Sequence, residues 1–470
     1  MSHDSTEEAS DRSDLSPELP RVLGLFDSIM IVVGSIIGSG IFLKVSDVAR
    51  VLNDFGWILV VWVGVGLITL CGSLALAELS SMYPRAGGPY LYLREAYGRP
   101  VAFLWGWTEF WVVRTGSLGA LACATVINLN KVVPLSFRTQ EIVAVAIVLG
   151  LSSVHYYSTR QGAWVQNLTA VVKVLFISAI ILLPVSLGQA DLTNLESDPA
   201  LTRATPPLWQ GIALAMMAVL WPYDGWINIG PVAEEIREPH RNLPLGLGLG
   251  MLLVILVYAG ANLSYHLTLP MAKIAESETI AADVFEKLFG PTGMKFAALG
   301  VMISTFGAVN SNMLTGPRIY LAMARDRLIP QSLCSVHNEY RTPANAILVQ
   351  AVWTVLLMRF FYATSGEPKG AFDGLTDSVI LAGLIFYSLT VGAVYILRWK
   401  RPDLARPYLT WGYPFTPALL LIAYAAVVLW NLWGNWKQSM NVLLLIGAGL
   451  FFYWIWTIPE RRSAIKKLPD

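Results

Sequence analysis

Two short stretches of this sequence lie inside long apolar runs and combine residues that free the peptide backbone for binding. The first reads VGSIIGSGIF, where Gly34, Gly38 and Gly40 recur with serines between them. The second reads LWPYDGW and contains Pro222 and Gly225. Proline lacks a backbone N–H and glycine tolerates unusual backbone angles, so each stretch predicts an interrupted helix. The freed N–H and C=O groups could bind an anion and a cation.

The first stretch also fits a simpler interpretation. Gly34 and Gly38 form the GxxxG spacing with which membrane helices pack closely together. That spacing explains neither the additional Gly40 nor the matching interruption at Pro222 and Gly225. We therefore favour a pair of broken helices, although packing and binding can coexist.

Two basic residues stand alone in apolar runs. Lys173 lies in AVVKVLF and Arg114 in WVVRTGS. An ionisable residue at membrane depth is expensive unless it has a partner or a function. Lys173 could also extend its amine to a lipid headgroup, or release and take up a proton. For Arg114 the sequence suggests a carboxylate or backbone partner but no definite role.

The overall composition places these residues in a membrane. The chain has 470 residues, of which 55% are hydrophobic and 14% charged. About 20 apolar residues at ~1.5 Å per residue cross a hydrocarbon core of ~30 Å. The net charge of +1 argues against a nucleic-acid binder, which would carry a clustered basic face. The sequence therefore predicts an all-α polytopic membrane protein.

Hydropathy divides the chain into twelve predicted spans. In order, they cover Leu23 to Val51, Trp57 to Ser81, Val101 to Leu129, Glu141 to Tyr157, Gly162 to Leu187, Pro207 to Glu235, Leu243 to Leu267, Pro291 to Met323, Pro343 to Phe361, Asp377 to Leu397, Tyr413 to Leu432 and Met440 to Ile458.

Basic residues predict the orientation, because Lys and Arg in short loops are retained in the cytoplasm. They concentrate after the even-numbered spans, for example at Arg85, Arg237, Arg325 and Arg398, while the opposite loops carry acidic residues. We expect a multi-pass protein of the cell membrane with both termini in the cytoplasm. Residues 1–20 are polar and acidic and predict a disordered cytoplasmic tail, and residues 461–470 form the C-terminal tail.

The interruptions fall in span 1 and span 6, the first span of each five-span half. This spacing suggests two repeats of inverted topology, residues 21–190 and 207–400, followed by spans 11 and 12 in residues 407–460. Span 1 runs outward, so its second half, from about Ile41, would point its positive N-terminus at the membrane centre. Span 6 runs inward, and its first half would end near Trp221 with unpaired carbonyls. A carboxylate and an ammonium group fit these two ends.

Four longer stretches resemble the amino acid, polyamine and organocation transporter superfamily, and within it the L-type amino acid transporter family. They are VGSIIGSGIF, ALAELSSMYPRAGGPYLYLREAYG, DGWINIGPVAEEIREPHRNLP and STFGAVNSNMLTGPRIYLAMARDRLIP. The resemblance covers nearly the whole chain. It implies the inverted-repeat fold of sodium-coupled leucine transporters, with spans 1 and 6 broken.

The same resemblance implies roles for individual residues. The N–H groups of Gly38, Ser39 and Gly40 would hold a substrate carboxylate. The carbonyls of Ile36, Trp221 and Asp224 would hold the ammonium group. Trp221 would also gate the site from outside. From the residues alone, Ser39 could be a local cap, Trp221 an aromatic filling the core, and Asp224 a helix cap or a partner for a cationic side chain.

Sodium-independent relatives carry a lysine where sodium-coupled relatives bind an ion, linking helix 1 to helix 8. The resemblance implies this role for Lys173, with Gly34 and Ser304 as its partners. One departure is that many relatives have Asn directly after the Gly-Trp pair, where this chain has Ile227. This departure weakens any transfer of side-chain specificity from those relatives.

These features favour a sodium-independent exchanger of neutral L-amino acids. A proton-coupled symporter, a cationic amino-acid or polyamine transporter, and a sensor that binds without transport remain alternatives. An enzyme would need converging catalytic groups, but the five histidines are scattered and no HExxH or GxSxG motif occurs. We expect no cofactor and no metal.

The partner expectations follow from the substrate and the cysteines. A small amino acid and the lipid bilayer are the expected partners, and the protein would be a monomer or a weak homo-oligomer. Animal relatives use a cysteine between spans 3 and 4 to bond a glycoprotein, but residues 130–140 contain none. We therefore expect no disulfide-linked partner.

Overall fold

A computed structural model describes residues 19–198, 201, 206–366, 368–434 and 436–465. Residues 1–18 of the predicted N-terminal tail and residues 466–470 of the predicted C-terminal tail lie outside the described residues. The described chain is helical and contains no β-strand. Eleven of its helices are long and apolar enough to cross a membrane, and Leu208–Leu220 is a shorter apolar helix. The prediction of a twelve-span all-α membrane protein is confirmed.

Spans 1 and 6 are discontinuous. Span 1 consists of Leu25–Ile36 (span 1a) and of Gly40–Leu43 followed by Val45–Leu52 (span 1b). Span 6 consists of Leu208–Leu220 (span 6a) and the 3₁₀ segment Trp226–Glu235 (span 6b). Both predicted breaks are therefore present.

The other spans are mostly continuous. They are Phe55–Met82 (span 2), Arg99–Val132 (span 3), Phe137–Tyr157 (span 4), Thr159–Ser186 (span 5), Pro239–Thr268 (span 7), Pro291–Arg325 (span 8), Ala344–Ser365 (span 9), Pro368–Lys400 (span 10), Phe415–Gly434 (span 11) and Trp436–Ile465 (span 12). Span 3 contains a π-helical turn, Glu109–Val113.

Local sequence accounts for several helix starts. Asp54, Ser136 and Ser158 precede spans 2, 4 and 5, and each side chain accepts a hydrogen bond from a backbone N–H of the first turn. Such caps satisfy donors that a helix leaves unpaired and contribute about 1 kcal/mol each. Spans 7 and 8 start instead with proline, which loses no hydrogen bond there.

Some predicted boundaries were wrong. Span 10 begins at Pro368, nine residues before the predicted start at Asp377, because its first turns carry polar residues that a hydropathy criterion rejects. Span 6b is a 3₁₀ segment with Pro231 inside it rather than a regular helix. Three short helices, Pro89–Tyr97, Met271–Glu276 and Ile280–Phe289, were missed because they are too short to cross a membrane.

The broken spans lie at the centre of the bundle. Span 1a packs against spans 5, 7 and 8, while spans 11 and 12 pack at the periphery against spans 2, 3 and 10. The chain entering span 1 pairs with the chain leaving span 6, where Leu23 N–H donates to the Glu235 carbonyl at 2.9 Å and Arg237 N–H to the Leu23 carbonyl at 2.8 Å. The two breaks are thus held side by side. The division into inverted repeats stays a prediction.

Candidate substrate-binding site

The break in span 1 leaves hydrogen-bond donors without partners. The backbone N–H groups of Gly38, Ser39 and Gly40 donate to no acceptor in the part of the chain that the structure describes. The Ser39 hydroxyl is buried and also lacks a partner there. These groups lie at the N-terminus of span 1b, where the peptide dipoles favour negative charge. The arrangement suits a carboxylate.

The two breaks touch through glycines. A Cβ on Gly40 would lie 2.6 Å from the Cα of Pro222, and a Cβ on Gly225 would lie 2.8 Å from the Ser35 carbonyl oxygen. Gly225 also has φ +104°, a conformation that residues with a Cβ rarely adopt. These two positions require glycine because the backbones of spans 1 and 6 meet there.

The carbonyls freed by the breaks lie on the same side. Span 1a ends at Ile36, and span 6a ends just before Trp221. The Tyr258 hydroxyl of span 7 lies 3.2 Å from the Ile36 carbonyl oxygen and 3.0 Å from that of Pro222. It can donate to only one of them at a time. Tyr258 therefore ties the two breaks together, and each carbonyl oxygen keeps a lone pair for a ligand.

A cavity of about 40 Å³ lies between the breaks. All six predicted substrate-binding residues line it: Ile36, Gly38, Ser39, Gly40, Trp221 and Asp224. The opposite wall comes from spans 3, 8 and 10 and includes Arg114, Ser117, Asn312 and Tyr387. Backbone groups thus face side chains across the cavity. Gly34, Lys173 and Ser304 are not among its lining residues.

Trp221 separates this cavity from a larger one. The second cavity has a volume of about 300 Å³ and is lined by span 1b, span 3 and residues 277–279. Trp221 lines both cavities. The larger cavity lies on the side expected to be extracellular. The indole thus stands where the predicted outer gate should be.

Lys173 binds the span 1 break from outside the cavity. Its Nζ donates to the Gly34 carbonyl at 2.8 Å and to the Ile37 carbonyl at 2.6 Å. The Ser304 hydroxyl donates to the Gly38 carbonyl at 2.9 Å and lies 3.3 Å from that of Ile37. The described residues show no direct Lys173–Ser304 bond, so the expected link to span 8 runs through a shared carbonyl. Two donors from different spans thus satisfy carbonyls that the break exposes.

Arg114 connects three spans around the cavity. Its Nε donates to Glu109 at 3.0 Å, and its Nη1 donates to Asn228 at 2.8 Å and to Asn312 at 2.7 Å. The carboxylate of Asp224 faces the Tyr387 hydroxyl. Sequence reasoning left the partners of Arg114 open, and the structure supplies both a carboxylate and amides.

Ion pairs join the helices on the side expected to be cytoplasmic. Arg318 Nε lies 2.8 Å from Glu235, and both side chains are fully buried. Arg325 lies 2.7 Å from Glu234, whose carboxylate also accepts the backbone N–H groups of Leu19 and Ala86. These contacts join span 6b, span 8 and the chain before span 1. The structure therefore has its larger cavity on one side of Trp221 and this network of ion pairs on the other.

Sequence reasoning missed Tyr258 and Glu109. Tyr258 stands in the apolar run of span 7, where a tyrosine is ordinary, and only its contact with a residue 222 positions away reveals its role. Glu109 offered a signal, since it is an acid close to Arg114 in an apolar segment. The five-residue spacing hides this signal, because side chains that are neighbours on a regular α-helix lie three or four residues apart.

The sequence of this chain also matches those of known proteins. The model of a family described as amino acid permease matches residues 23–454. The chain belongs to the amino acid permease family. This permease is 30% identical to the serine/threonine exchanger SteT of Bacillus subtilis, over 93% of this chain and 97% of that protein.

Two human proteins are similarly related to this permease. The b(0,+)-type amino acid transporter 1 is 30% identical over 93% of this chain and 88% of that protein. The large neutral amino acids transporter small subunit 2 is 30% identical over 90% of this chain and 79% of that protein. These relatives confirm the resemblance to L-type transporters. The permease is thus a multi-pass membrane transporter of amino acids and not an enzyme.

Proposed function

We propose that this permease exchanges small neutral amino acids across the membrane by alternating access and without sodium. The observation that carries the proposal is the set of unpaired donors at Gly38, Ser39 and Gly40, which faces the carbonyl ends of spans 1a and 6a across one cavity. Donors hold a carboxylate and carbonyls hold an ammonium group. Every amino acid carries both groups, so the backbone supplies recognition common to all of them.

Lys173 supports sodium independence. Its ammonium group donates hydrogen bonds to the Gly34 and Ile37 carbonyls at 2.8 and 2.6 Å. A sodium ion needs several such oxygens, and a second positive charge a few ångströms away would be strongly repelled in this low-dielectric interior. The fixed cation thus fulfils the role that an ion would have at the break.

The cavity supports small polar substrates. Its volume is about 40 Å³, and Ser117, Asn228 and Asn312 contribute hydrogen-bonding groups beyond the backbone. Large side chains would not fit without rearrangement. One relative is named as a serine/threonine exchanger. Serine and threonine are therefore the first substrates to test.

The test is transport by the purified protein in proteoliposomes. Uptake of labelled serine should require unlabelled serine or threonine inside and should be unchanged when sodium is replaced by potassium. If uptake did not depend on internal amino acid, and an imposed proton gradient drove accumulation of labelled serine, the protein would instead be a proton symporter. Binding of serine with no flux under any gradient would identify a sensor.

A cationic substrate is the second candidate, because the Asp224 carboxylate lines the cavity. It would be favoured if arginine or lysine competed with serine and this competition disappeared in Asp224→Asn. The absence of competition by cationic amino acids would leave Asp224 as a residue of the span 6 break, where its N–H already donates to the Trp221 carbonyl.

We also propose that both termini are cytoplasmic and that no partner is disulfide-linked. Cys71, Cys123 and Cys334 are all free thiols in the structure. Cys334 is partly exposed in the loop after span 8, on the side expected to be cytoplasmic. In whole cells, a membrane-impermeant maleimide should label Cys334 only after permeabilisation. Labelling of Cys334 in intact cells would show that the orientation is the opposite of the one proposed.

A further inference from the structure

The wall of the cavity opposite the broken spans contains one half of a buried ion pair. Arg114 lines the cavity, while Glu109 is not among the lining residues. The two side chains are 3% and 0% exposed, and Arg114 Nε lies 3.0 Å from the Glu109 carboxylate. A second bond joins Arg114 Nη2 to the other carboxylate oxygen at 3.1 Å. The pair is bidentate, which is the strongest arrangement for these two groups.

A local change of helix geometry makes the pair possible. Residues 109–113 form a π-helical turn, and the N–H of Arg114 donates to the Glu109 carbonyl. The wider turn brings residues five apart onto one face, where a regular α-helix would place neighbours three or four apart. Turns of this kind occur frequently at functional sites. Here the turn places Glu109 directly behind Arg114 as seen from the cavity.

The other donors of Arg114 are directed at neutral groups. Its Nη1 contacts the side-chain oxygens of Asn228, Asn312 and Thr315 at 2.8, 2.7 and 3.2 Å. These groups fix the guanidinium in place, but none neutralises its charge. Glu109 therefore provides the counter-charge on span 3. Asp224 is the other acid at the cavity, and it faces Tyr387 from span 6.

We propose that Glu109 determines substrate specificity by neutralising Arg114, and that it thereby excludes amino acids with acidic side chains. The proposal rests on the proposed function, because backbone binding of the carboxylate and ammonium groups directs the substrate side chain toward spans 3, 8 and 10. An acidic side chain there would meet a guanidinium that is already paired. It would have to displace Glu109 or remain buried without a counter-charge, and both are costly.

Glu109→Gln tests this directly. The amide preserves the shape of the side chain but removes the charge, so Arg114 becomes available to a substrate carboxylate. Aspartate and glutamate should not compete with serine in the wild type. In Glu109→Gln their inhibition constants should fall by at least about tenfold relative to the wild type, the size expected for one charge-assisted contact. Because Asp224 still repels an acid, the double variant Glu109→Gln/Asp224→Asn should show a larger gain.

Glu235→Gln is the matched control. Glu235 and Arg318 form another fully buried bidentate pair, at 2.8 and 3.3 Å, but neither residue lines the cavity. Loss of the Glu235–Arg318 ion pair should affect stability or exchange rate without allowing acidic amino acids to compete with serine. If Glu235→Gln gained the same competition, the effect would come from general loosening and the proposal would be wrong.

Two further outcomes would overturn the proposal. One is competition by aspartate or glutamate in the wild type. The other is a Glu109→Gln protein that exchanges serine but gains no affinity for acidic amino acids. Both outcomes leave serine exchange intact, so they differ from failure of the proposed function, in which no amino acid is exchanged at all.

A second variant covers the case in which Glu109→Gln does not fold. The double variant Glu109→Gln/Arg114→Gln contains no buried charge on span 3. It should keep rejecting acidic amino acids and lose part of its preference for serine over alanine, measured as the ratio of their inhibition constants. An unchanged ratio would show that Arg114 does not face the substrate side chain and would also overturn the proposal.

Discussion

The two broken spans perform the same task but are held open by different means. In span 6 the break is local, since Pro222 lacks a donor and Gly225 adopts φ +104°. In span 1 the freed carbonyls are satisfied by Lys173 and Ser304, which come from spans 5 and 8. The span 6 break thus depends mainly on its own residues, whereas the span 1 break depends more on side chains far away in the chain.

This difference between the two spans predicts which substitutions should disturb each break. A substitution at a distant residue should disturb span 1, and a substitution within the break should disturb span 6. Tyr258 contacts both breaks and should affect them together.

The largest effect is expected for Lys173→Met. The change leaves the buried Gly34 carbonyl without a donor and the Ile37 carbonyl with only the Ser304 hydroxyl at 3.3 Å, at a cost of about 1–3 kcal/mol for each bond lost. Exchange of serine, measured as kcat/KM, should fall at least about 100-fold. Lys400→Met is the control, since Lys400 also donates to a backbone carbonyl, that of Ala96, and lines neither of the two cavities at Trp221. Exchange close to wild type in Lys173→Met would remove the distinction between the two spans.

Gly225→Ala should cause the second largest loss of exchange. The added methyl group would lie 2.8 Å from the Ser35 carbonyl oxygen, and the backbone conformation would be strained as well. We expect a loss of roughly 30-fold in kcat/KM. Gly248→Ala in span 7 is the control, because its methyl group would meet nothing within 4 Å. An active Gly225→Ala protein would show that the span 6 break does not depend on local backbone conformation.

Tyr258→Phe should have an intermediate effect, because it removes one hydroxyl that serves both breaks. A loss of about tenfold in exchange is expected, as for one buried hydrogen bond. Tyr265→Phe is a close control, since Tyr265 is also fully buried in span 7 and its hydroxyl has no partner among the described residues. Equal losses in the two variants would mean that the hydroxyl of Tyr258 is not what matters.

Ser304→Ala should have the smallest effect. The Gly38 carbonyl loses its donor, but Lys173 still satisfies that of Ile37. A roughly threefold loss of exchange is expected. Ser73→Ala removes a buried hydroxyl that bonds only within its own helix and should have less effect. A loss as large as that of Lys173→Met would make Ser304 an equal support of the span 1 break.

Much of the fold was predictable, because membrane spans carry a strong local signal. Apolar length identified the twelve spans, and the glycines and Pro222 located both breaks. The start of span 10 and the 3₁₀ form of span 6b were predicted wrongly. Both depend on packing: Pro231 within span 6b lies against Gly88, where a Cβ would come within 2.5 Å of the Pro231 nitrogen.

The candidate site was predictable only for its backbone half. Ile36, Gly38, Ser39, Gly40, Trp221 and Asp224 line one cavity, as their positions at the two breaks suggested. Their roles in binding stay predictions until transport is measured. The side-chain half was not predictable, because the facing of residues on spans 3, 8 and 10 is not encoded in any single segment.

The sequence by itself determined that this chain crosses the membrane, where two of its spans break, and that a buried lysine needed a partner. Each of these follows from local composition, since lipid cannot satisfy a free backbone group or a lone charge. Only the tertiary structure decided which carbonyls Lys173 satisfies, that Tyr258 joins the two breaks, and that Glu109 neutralises Arg114. Those contacts depend on how separate helices, and one irregular turn, are oriented in space.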